Sequence, residues 1–183
     1  MCGILAFPTP KSSLPTEICM VVPNPRALNF AGFLCCAGMM GFALYAQHIL
    51  LLDPCPLCVL QRVAVIGLGA FFLIAALHDP TGWARRIYAV FMASFALFGL
   101  GVAGWHTRLQ NLPADEVPSC GPGLDYMLEN FPLGEALGMV FKGSGECADV
   151  VWSFLGLSMP SWVFISLLVV GGAGLWNNFR QAS

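Results

Sequence analysis

The chain alternates long charge-free apolar runs with short polar segments. No charge occurs from Ala27 to Leu52, and Leu28–Ala46 forms a 19-residue apolar core, long enough to cross about 30 Å of hydrocarbon as a helix. A second run covers 59–77 and ends in a tight polar turn, His78-Asp79-Pro80-Thr81-Gly82-Trp83-Ala84-Arg85-Arg86. A third, 87–105, is again free of charge. The fourth covers 161–179, entered at Pro160, with its most apolar part ending at Trp176 before Asn177-Asn178-Phe179-Arg180. This pattern predicts an all-α membrane protein, a four-transmembrane-helix bundle with two outward loops, 47–58 and 106–160. The bundle domain is 27–179, followed by a short end at 180–183.

The second loop is long. Pro113, Pro118, Gly121, Pro122 and Gly123 make its first part irregular. Phe131, Leu133, Ala136, Leu137, Val140 and Phe141 recur with near-helical spacing. They predict a short amphipathic helix lying on the membrane, or else the local core of a folded loop. Trp152, Phe154, Leu155, Leu157 and Trp162 read as an aromatic anchor at the interface before the last span. At the other end, residues 1–26 are rich in proline and glycine, and Lys11 follows a weak apolar start rather than preceding one. That is not the order of a signal peptide. The segment reads as an uncleaved, poorly ordered tail, and Met20 offers a second possible start.

Composition agrees with the pattern. Hydrophobic residues make up 57% and charged residues 10%, with mean hydropathy +0.75, against about 25% charged in soluble domains. The net charge of −2 leaves no nucleic-acid footprint. With four spans, Lys11, Arg26, Arg85, Arg86 and Arg180 fall on one side; Arg108 and Lys142 fall on the other, with Arg62 at its border. The excess of basic residues makes the first side, with both termini, cytoplasmic. The outer side, where disulfides persist, carries seven of the ten acids in 106–160.

The cysteines then carry the chemistry. Cys55 and Cys58 stand in Asp53-Pro54-Cys55-Pro56-Leu57-Cys58-Val59-Leu60-Gln61-Arg62, where one apolar run ends and the next begins. Pro56 suits the first position of a helix, so Cys55 is its expected N-cap and Cys58 its third residue, a setting that favours the thiolate. Arg62 follows Cys58 at i+4 on the same face. An arginine one turn inside a membrane helix marks a functional site by default, although it can also snorkel to headgroups. The pair by itself also fits a structural or metal-binding Cys-x-x-Cys. Cys120 and Cys147 share the second outer loop with Gly121, Gly123, Gly143 and Gly145. They can pass a disulfide to Cys55 by thiolate exchange, or close the loop as a structural bridge contributing roughly 3 kcal/mol. A quinone suits a bundle open to lipid as the final two-electron acceptor, and Arg62 is placed to stabilise an oxyanion on its ring. Of the other cysteines, Cys35 and Cys36 join Gly32, Gly38 and Gly41 in a small-residue face that reads as close helix packing. Cys2 and Cys19 read as free thiols of the tail.

Several of these stretches resemble the DsbB disulfide bond formation proteins of the bacterial inner membrane, from about Ala27 to Phe179. They are Cys55-Pro56-Leu57-Cys58 with Gln61-Arg62, Trp105-His106-Thr107, Cys120, Ser144-Gly145-Glu146-Cys147-Ala148 and Trp152-Ser153-Phe154-Leu155-Gly156-Leu157-Ser158-Met159-Pro160. The resemblance implies a protein-disulfide:quinone oxidoreductase with redox disulfides Cys55–Cys58 and Cys120–Cys147. Cys120 would form the mixed disulfide with a periplasmic thioredoxin-like dithiol oxidase of the DsbA type. Cys147 would pair with Cys120 at rest and transiently with Cys55, and Cys58 would face the quinone (ubiquinone or menaquinone) as a charge-transfer thiolate. Arg62 would hold that quinone and His106 would lie near its ring, although an interfacial histidine capping the third span reads nearly as well. The long tail and its cysteines depart from the family pattern.

Other readings compete. The vitamin K epoxide reductase family also joins four core helices to two cysteine pairs, but there the loop pair comes first, whereas here Cys55/Cys58 do. A non-enzymatic tetraspan scaffold with a structural loop disulfide leaves Arg62 and the placement of Cys58 unexplained. No metal is expected. The 26 residues between Cys120 and Cys147 lack the short second pair of a zinc ribbon, and Val59 stands where covalent haem attachment needs a histidine.

Overall fold

The computed structural model describes residues 24–113, 115–117, 126 and 129–180. The N-terminal segment with Lys11, Cys2 and Cys19, and the loop position Cys120, lie outside them. In chain order the elements are α1 (Pro25–His48), α2 (Pro56–His78), α3 (Trp83–Leu109), α4 (Leu133–Lys142) and α5 (Gly145–Ala148). A hairpin of β1 (Ser153–Phe154) and β2 (Leu157–Ser158) follows, then α6 (Met159–Arg180). Helices α1, α2, α3 and α6 are each long and apolar enough to cross a membrane. At 22 to 27 residues they run about 33–40 Å, longer at both ends than the apolar cores counted from the sequence.

Local chemistry sets the helix ends. Asn24 caps α1 by accepting from the Arg26 amide at 3.1 Å, with Pro25 in the first turn. Asp79 ends α2 in the left-handed region at φ 44°, a conformation asparagine and aspartate adopt more readily than other non-glycine residues. Its carboxylate lies 3.9 Å from Arg85 at the start of α3, across the short turn.

The bundle is held by close packing, because lipid removes the hydrophobic drive for helix association. Phe72 of α2 is buried, and its ring is gripped from both sides. A Cβ at Gly32 of α1 would stand 2.8 Å from it, and one at Gly174 of α6 2.4 Å. Gly99 of α3 receives Leu167 of α6 in the same way. The small-residue face expected on α1 therefore divides. Gly32 and Cys36 pack inward, Cys36 against Gly69, while Cys35 is exposed and Gly38 and Gly41 meet open space. Helical periodicity puts neighbouring Cys35 and Cys36 about 100° apart, so both cannot face one partner.

One end of the bundle carries a polar clamp. Asn29 of α1 and Asn178 of α6 exchange amide hydrogen bonds, the stronger at 3.0 Å. Asn178 also donates to the Gly174 carbonyl at 2.8 Å. Asn177 donates to Asn29 Oδ1 at 3.3 Å and to the Pro25 carbonyl at 3.0 Å. Arg26 Nε–H donates to the Ala76 carbonyl at the end of α2, at 2.8 Å. From the sequence, Asn177 and Asn178 look like the polar exit of the last span. In the fold they are buried, because Asn29 supplies partners from inside another apolar run.

At the opposite end α4 starts within the stretch expected to be an amphipathic helix. Its Val140 is buried and packs against Leu60 of α2, while Leu137 and Phe141 are exposed. The segment expected as an aromatic anchor folds as a hairpin. Leu155 and Gly156 both have positive φ, 53° and 79°, as a type I′ turn requires. Ser153 pairs with Ser158 and Phe154 with Leu157. Trp162 Nε1–H donates to the Phe154 carbonyl at 3.0 Å, and Trp152 meets Phe42 of α1 edge-on. Aromatic composition did not reveal the turn.

Replacing Asn178 with leucine keeps the branched side-chain outline and removes the amide. We expect a loss of about 1–2 kcal/mol, read as a lower thermal midpoint in detergent. Asn178→Leu combined with Asn29→Leu should cost less than the sum of the two single changes, since each removes the other's partner.

Candidate redox site

The site forms where α2 begins. Pro56 opens the helix and Cys55 caps it, its sulfur accepting from the Cys58 amide at 3.4 Å. That places both sulfurs at the positive end of the helix, 3.1 Å apart, as thiols.

Cys147 arrives from the second loop. Gly143 ends α4 at φ 81°, and a Cβ there would meet Leu109 of α3 at 2.5 Å. Only glycine satisfies both constraints. The turn lets α5 settle on the end of α3, where Cys147 is buried with Leu57, Val102 and Leu109, against Cys55. Its amide donates to the Ser144 carbonyl at 2.9 Å. The hydrogen bond it shares with Cys55, followed by burial, pushes the Cys147 thiol well above the ordinary cysteine value. Three of the four expected redox cysteines thus stand together, and Cys55 is the one between the other two.

His106, on α3, is buried and engaged at both nitrogens. Nδ1 lies 3.0 Å from the Gln61 side-chain nitrogen and Nε2 lies 3.0 Å from the Cys147 carbonyl. A carbonyl only accepts, so Nε2 carries the proton; the Gln61 N–H then donates to a bare Nδ1. The same Nε2 is 3.7 Å from Cys55 Sγ. The resemblance places His106 near a quinone ring. Here it faces Cys55 and Cys147, and it reaches the lining of the lipid-side cleft through its bond to Gln61 and by lying within 4.8 Å of the Cys58 sulfur.

That cleft opens between α1, α2 and α6. Met39, Met40, Ala43, Val65, Met159 and Val163 form apolar walls, and Cys58, Gln61, Arg62 and Asp53 supply its polar groups. Arg62 reaches across to α1, donating to the Gln47 side-chain oxygen and, at 3.3 Å, to the Ala43 carbonyl. Among the described residues these bonds use two of its five N–H groups. On the other side of Cys55 a second, more polar groove is lined by Gln47, Leu51, Asp53, Glu146 and Asp149. Cys58 therefore faces the lipid-side cleft and Cys55 the outer groove.

Two site residues were not singled out from the sequence. Gln61 stands in the quoted motif, but no role attaches to it there; Gln47 ends the first apolar run. Both carry the signal that marked Arg62, a polar side chain in or beside a membrane span. Their partners, on other helices, were invisible.

Comparison with known proteins shows the family. The family model described as "Disulfide bond formation protein DsbB" matches residues 25–177. "Disulfide bond formation protein B" of Nitrosococcus oceani is 53% identical over 155 residues, 85% of this chain and 92% of the relative. The protein of that name from Methylococcus capsulatus is 47% identical over 164 residues, 88% of this chain and all of the relative. That from Marinobacter nauticus is 52% identical over 142 residues, 76% of this chain and 84% of the relative.

The raised Cys147 value has a definite sign. A thiol held up in the folded protein stabilises the fold below the unfolded cysteine value of about 8.5 and loses that contribution as pH rises through the folded value. In reduced protein, maleimide labelling of Cys147 should therefore stay slow from pH 7 to 9 and become complete on unfolding, and stability should decline above pH 9. Fast labelling of folded protein at pH 7 contradicts this assignment.

Proposed function

The chain belongs to the DsbB family of disulfide bond formation proteins, and on that premise we propose that it reoxidises a periplasmic thioredoxin-like dithiol oxidase of the DsbA type and passes the electrons to a membrane quinone. The observation that carries the proposal is the position of Cys58. It stands at the head of an apolar cleft beside a fixed arginine, while its partner Cys55 touches the buried cysteine of the outer loop.

The exchange begins with disulfides at Cys120–Cys147 and Cys55–Cys58. A thiolate of the partner attacks Cys120 and releases Cys147 as a thiolate; the partner's second thiol then resolves the mixed disulfide, leaving the partner oxidised and Cys120 and Cys147 reduced. Cys147 attacks Cys55, forming Cys55–Cys147 and releasing Cys58 as a thiolate. Attack by Cys120 on Cys147 restores the loop disulfide and leaves Cys55 and Cys58 as the dithiol. Two electrons and two protons have then moved from the partner to the helix end, and they leave as Cys55–Cys58 re-forms. The place of Cys55 between Cys58 and Cys147 supports this order. His106 orients Cys147 through its carbonyl and presents an N–H toward Cys55.

The cleft suits a quinone. Its walls are largely methionine, alanine and valine, and its head holds a thiol, an amide and a cation, with the Asp53 carboxylate also in the lining; an apolar ring with carbonyl oxygens fits such a site. Arg62, Gln61 and Cys58 would hold the ring. A bound quinone supplies the two-electron, two-proton acceptor. Arg62 is already fixed to α1, so it stabilises negative charge with little reorganisation. The apolar walls exclude water and keep that charge effect strong.

Orientation follows from the ends. Arg26, Arg85, Arg86 and Arg180 cluster where the chain enters α1 and leaves α6, which supports a cytoplasmic face there. The sulfurs lie at the other end, on the periplasmic side of a bacterial inner membrane.

Purified protein in detergent, given reduced DsbA-type protein, should reduce ubiquinone or menaquinone. Cys58→Ser should abolish turnover and Arg62→Ala should slow it by about 10²-fold. No turnover with either quinone, while both disulfides are present by mass spectrometry, contradicts the reading.

A further inference from the structure

We propose that in the reduced protein Cys55, Cys58 and His106 form a zinc site, which holds the dithiol and prevents its reoxidation. The proposal rests on the redox reading only in requiring that Cys55 and Cys58 pass through a dithiol state. From the sequence the pair alone fits a metal-binding Cys-x-x-Cys, but the third ligand is hidden there, because His106 lies 48 residues beyond Cys58 and is brought to the pair by the packing of α3.

The donor atoms are already assembled. The two sulfurs are 3.1 Å apart, Cys55 Sγ is 3.7 Å from His106 Nε2, and all three atoms lie within 4.8 Å of one another. Tetrahedral zinc with Zn–S of about 2.3 Å and Zn–N of about 2.0 Å sets ligand edges of about 3.7 Å between sulfurs and about 3.5 Å between sulfur and nitrogen. The observed separations bracket those edges, so small side-chain rotations suffice. Two thiolates and a neutral imidazole match zinc in softness. The two negative charges cancel the dication, so little net charge is buried in a half-buried site. The fourth position is left for water.

The surroundings fit as well. A histidine that ligates through one nitrogen normally donates its other N–H to a neighbouring oxygen. Gln61, 3.0 Å from Nδ1, provides this when its amide turns to present oxygen. The imidazole proton then sits on Nδ1, and Nε2 gives up its hydrogen bond to the Cys147 carbonyl in exchange for the metal. Binding releases the two thiol protons and changes no oxidation state. An entry path also exists, since Cys55 lines the outer groove together with Asp53, Glu146 and Asp149. These carboxylates raise the local cation concentration. The oxidised protein offers no thiolates, so the site exists only after electrons arrive and competes directly with the Cys55–Cys58 bond.

The test uses full-length protein in detergent, reduced and then freed of reductant, titrated with Co²⁺ as the spectroscopic probe and then with Zn²⁺. One equivalent of Co²⁺ should produce visible tetrahedral d–d bands and a sulfur-to-cobalt charge-transfer band, and Zn²⁺ should erase both. Oxidised protein and Cys58→Ser should show neither band. Gln61→Leu should weaken binding by about ten- to a hundredfold. In unaltered protein, which avoids any folding defect, Zn²⁺ should protect Cys55 and Cys58 from N-ethylmaleimide and leave the exposed Cys35 labelled as before. Absence of the cobalt bands from reduced protein, or protection that spares Cys55 and Cys58, overturns the proposal. None of these readouts involves a quinone. Metal-free protein that turns over but never binds cobalt defeats the zinc site alone; cobalt binding without quinone turnover defeats the electron route alone.

Discussion

One imidazole holds the site together. His106 is bonded at both nitrogens, to Gln61 on α2 and to the Cys147 carbonyl in the outer segment. A buried ring left half-bonded would cost roughly 1–3 kcal/mol, so each bond depends on the other being kept. The result ties two helices and a loop to one point. Cys147 is thereby pressed against Cys55, and Cys55 is left between a loop cysteine and the cysteine of its own helix. The left-handed turn at Gly143 serves the same end, since without it α5 could not approach Leu109.

Arg62 obeys a related constraint from the lipid side. A cation one turn inside a membrane helix is costly unless it is paired or solvated. Here the compensation comes from α1, through the Gln47 side chain and the Ala43 carbonyl near the end of that helix. Helix C-termini are negative, so the position suits a guanidinium. These bonds also fix Arg62 beside Cys58, so the contacts that make the charge tolerable also aim it into the cleft.

The two ends of the bundle contrast. At one end asparagines satisfy each other and clamp α1 to α6, while Arg26 bonds the Ala76 carbonyl and ties α1 to α2. Between the ends, glycines let Phe72 and Leu167 fill the bundle tightly. The other end is left open as a cleft lined by Cys58 and a groove lined by Cys55, which meet along Leu52, Asp53 and Pro54. A rigid foot and a tightly packed waist allow the working end to hold sulfurs at exchange distance without a large soluble domain around them.

Much was legible in the sequence. Charge-free runs specify four crossings because the hydrocarbon thickness sets their length. Pro56 after Cys55 announced a helix start, and an arginine in a span announced a site. Those signals are local, and the chain obeys them locally. What the sequence could not give was pairing across distance. Asn177 and Asn178 looked like a polar exit until Asn29 supplied their partners, and Leu155-Gly156 looked like part of an anchor until its backbone turned. Gln61 and Gln47 showed only a polar side chain in or beside a span, with no role until a ring and a guanidinium met them. The sequence by itself determined how many helices cross and which end holds the cysteines, because hydrophobic length and helix capping act over a few residues. Only the tertiary structure decided that His106 belongs to Cys55 and Cys147, because one imidazole finds two partners only where α2, α3 and the outer loop converge.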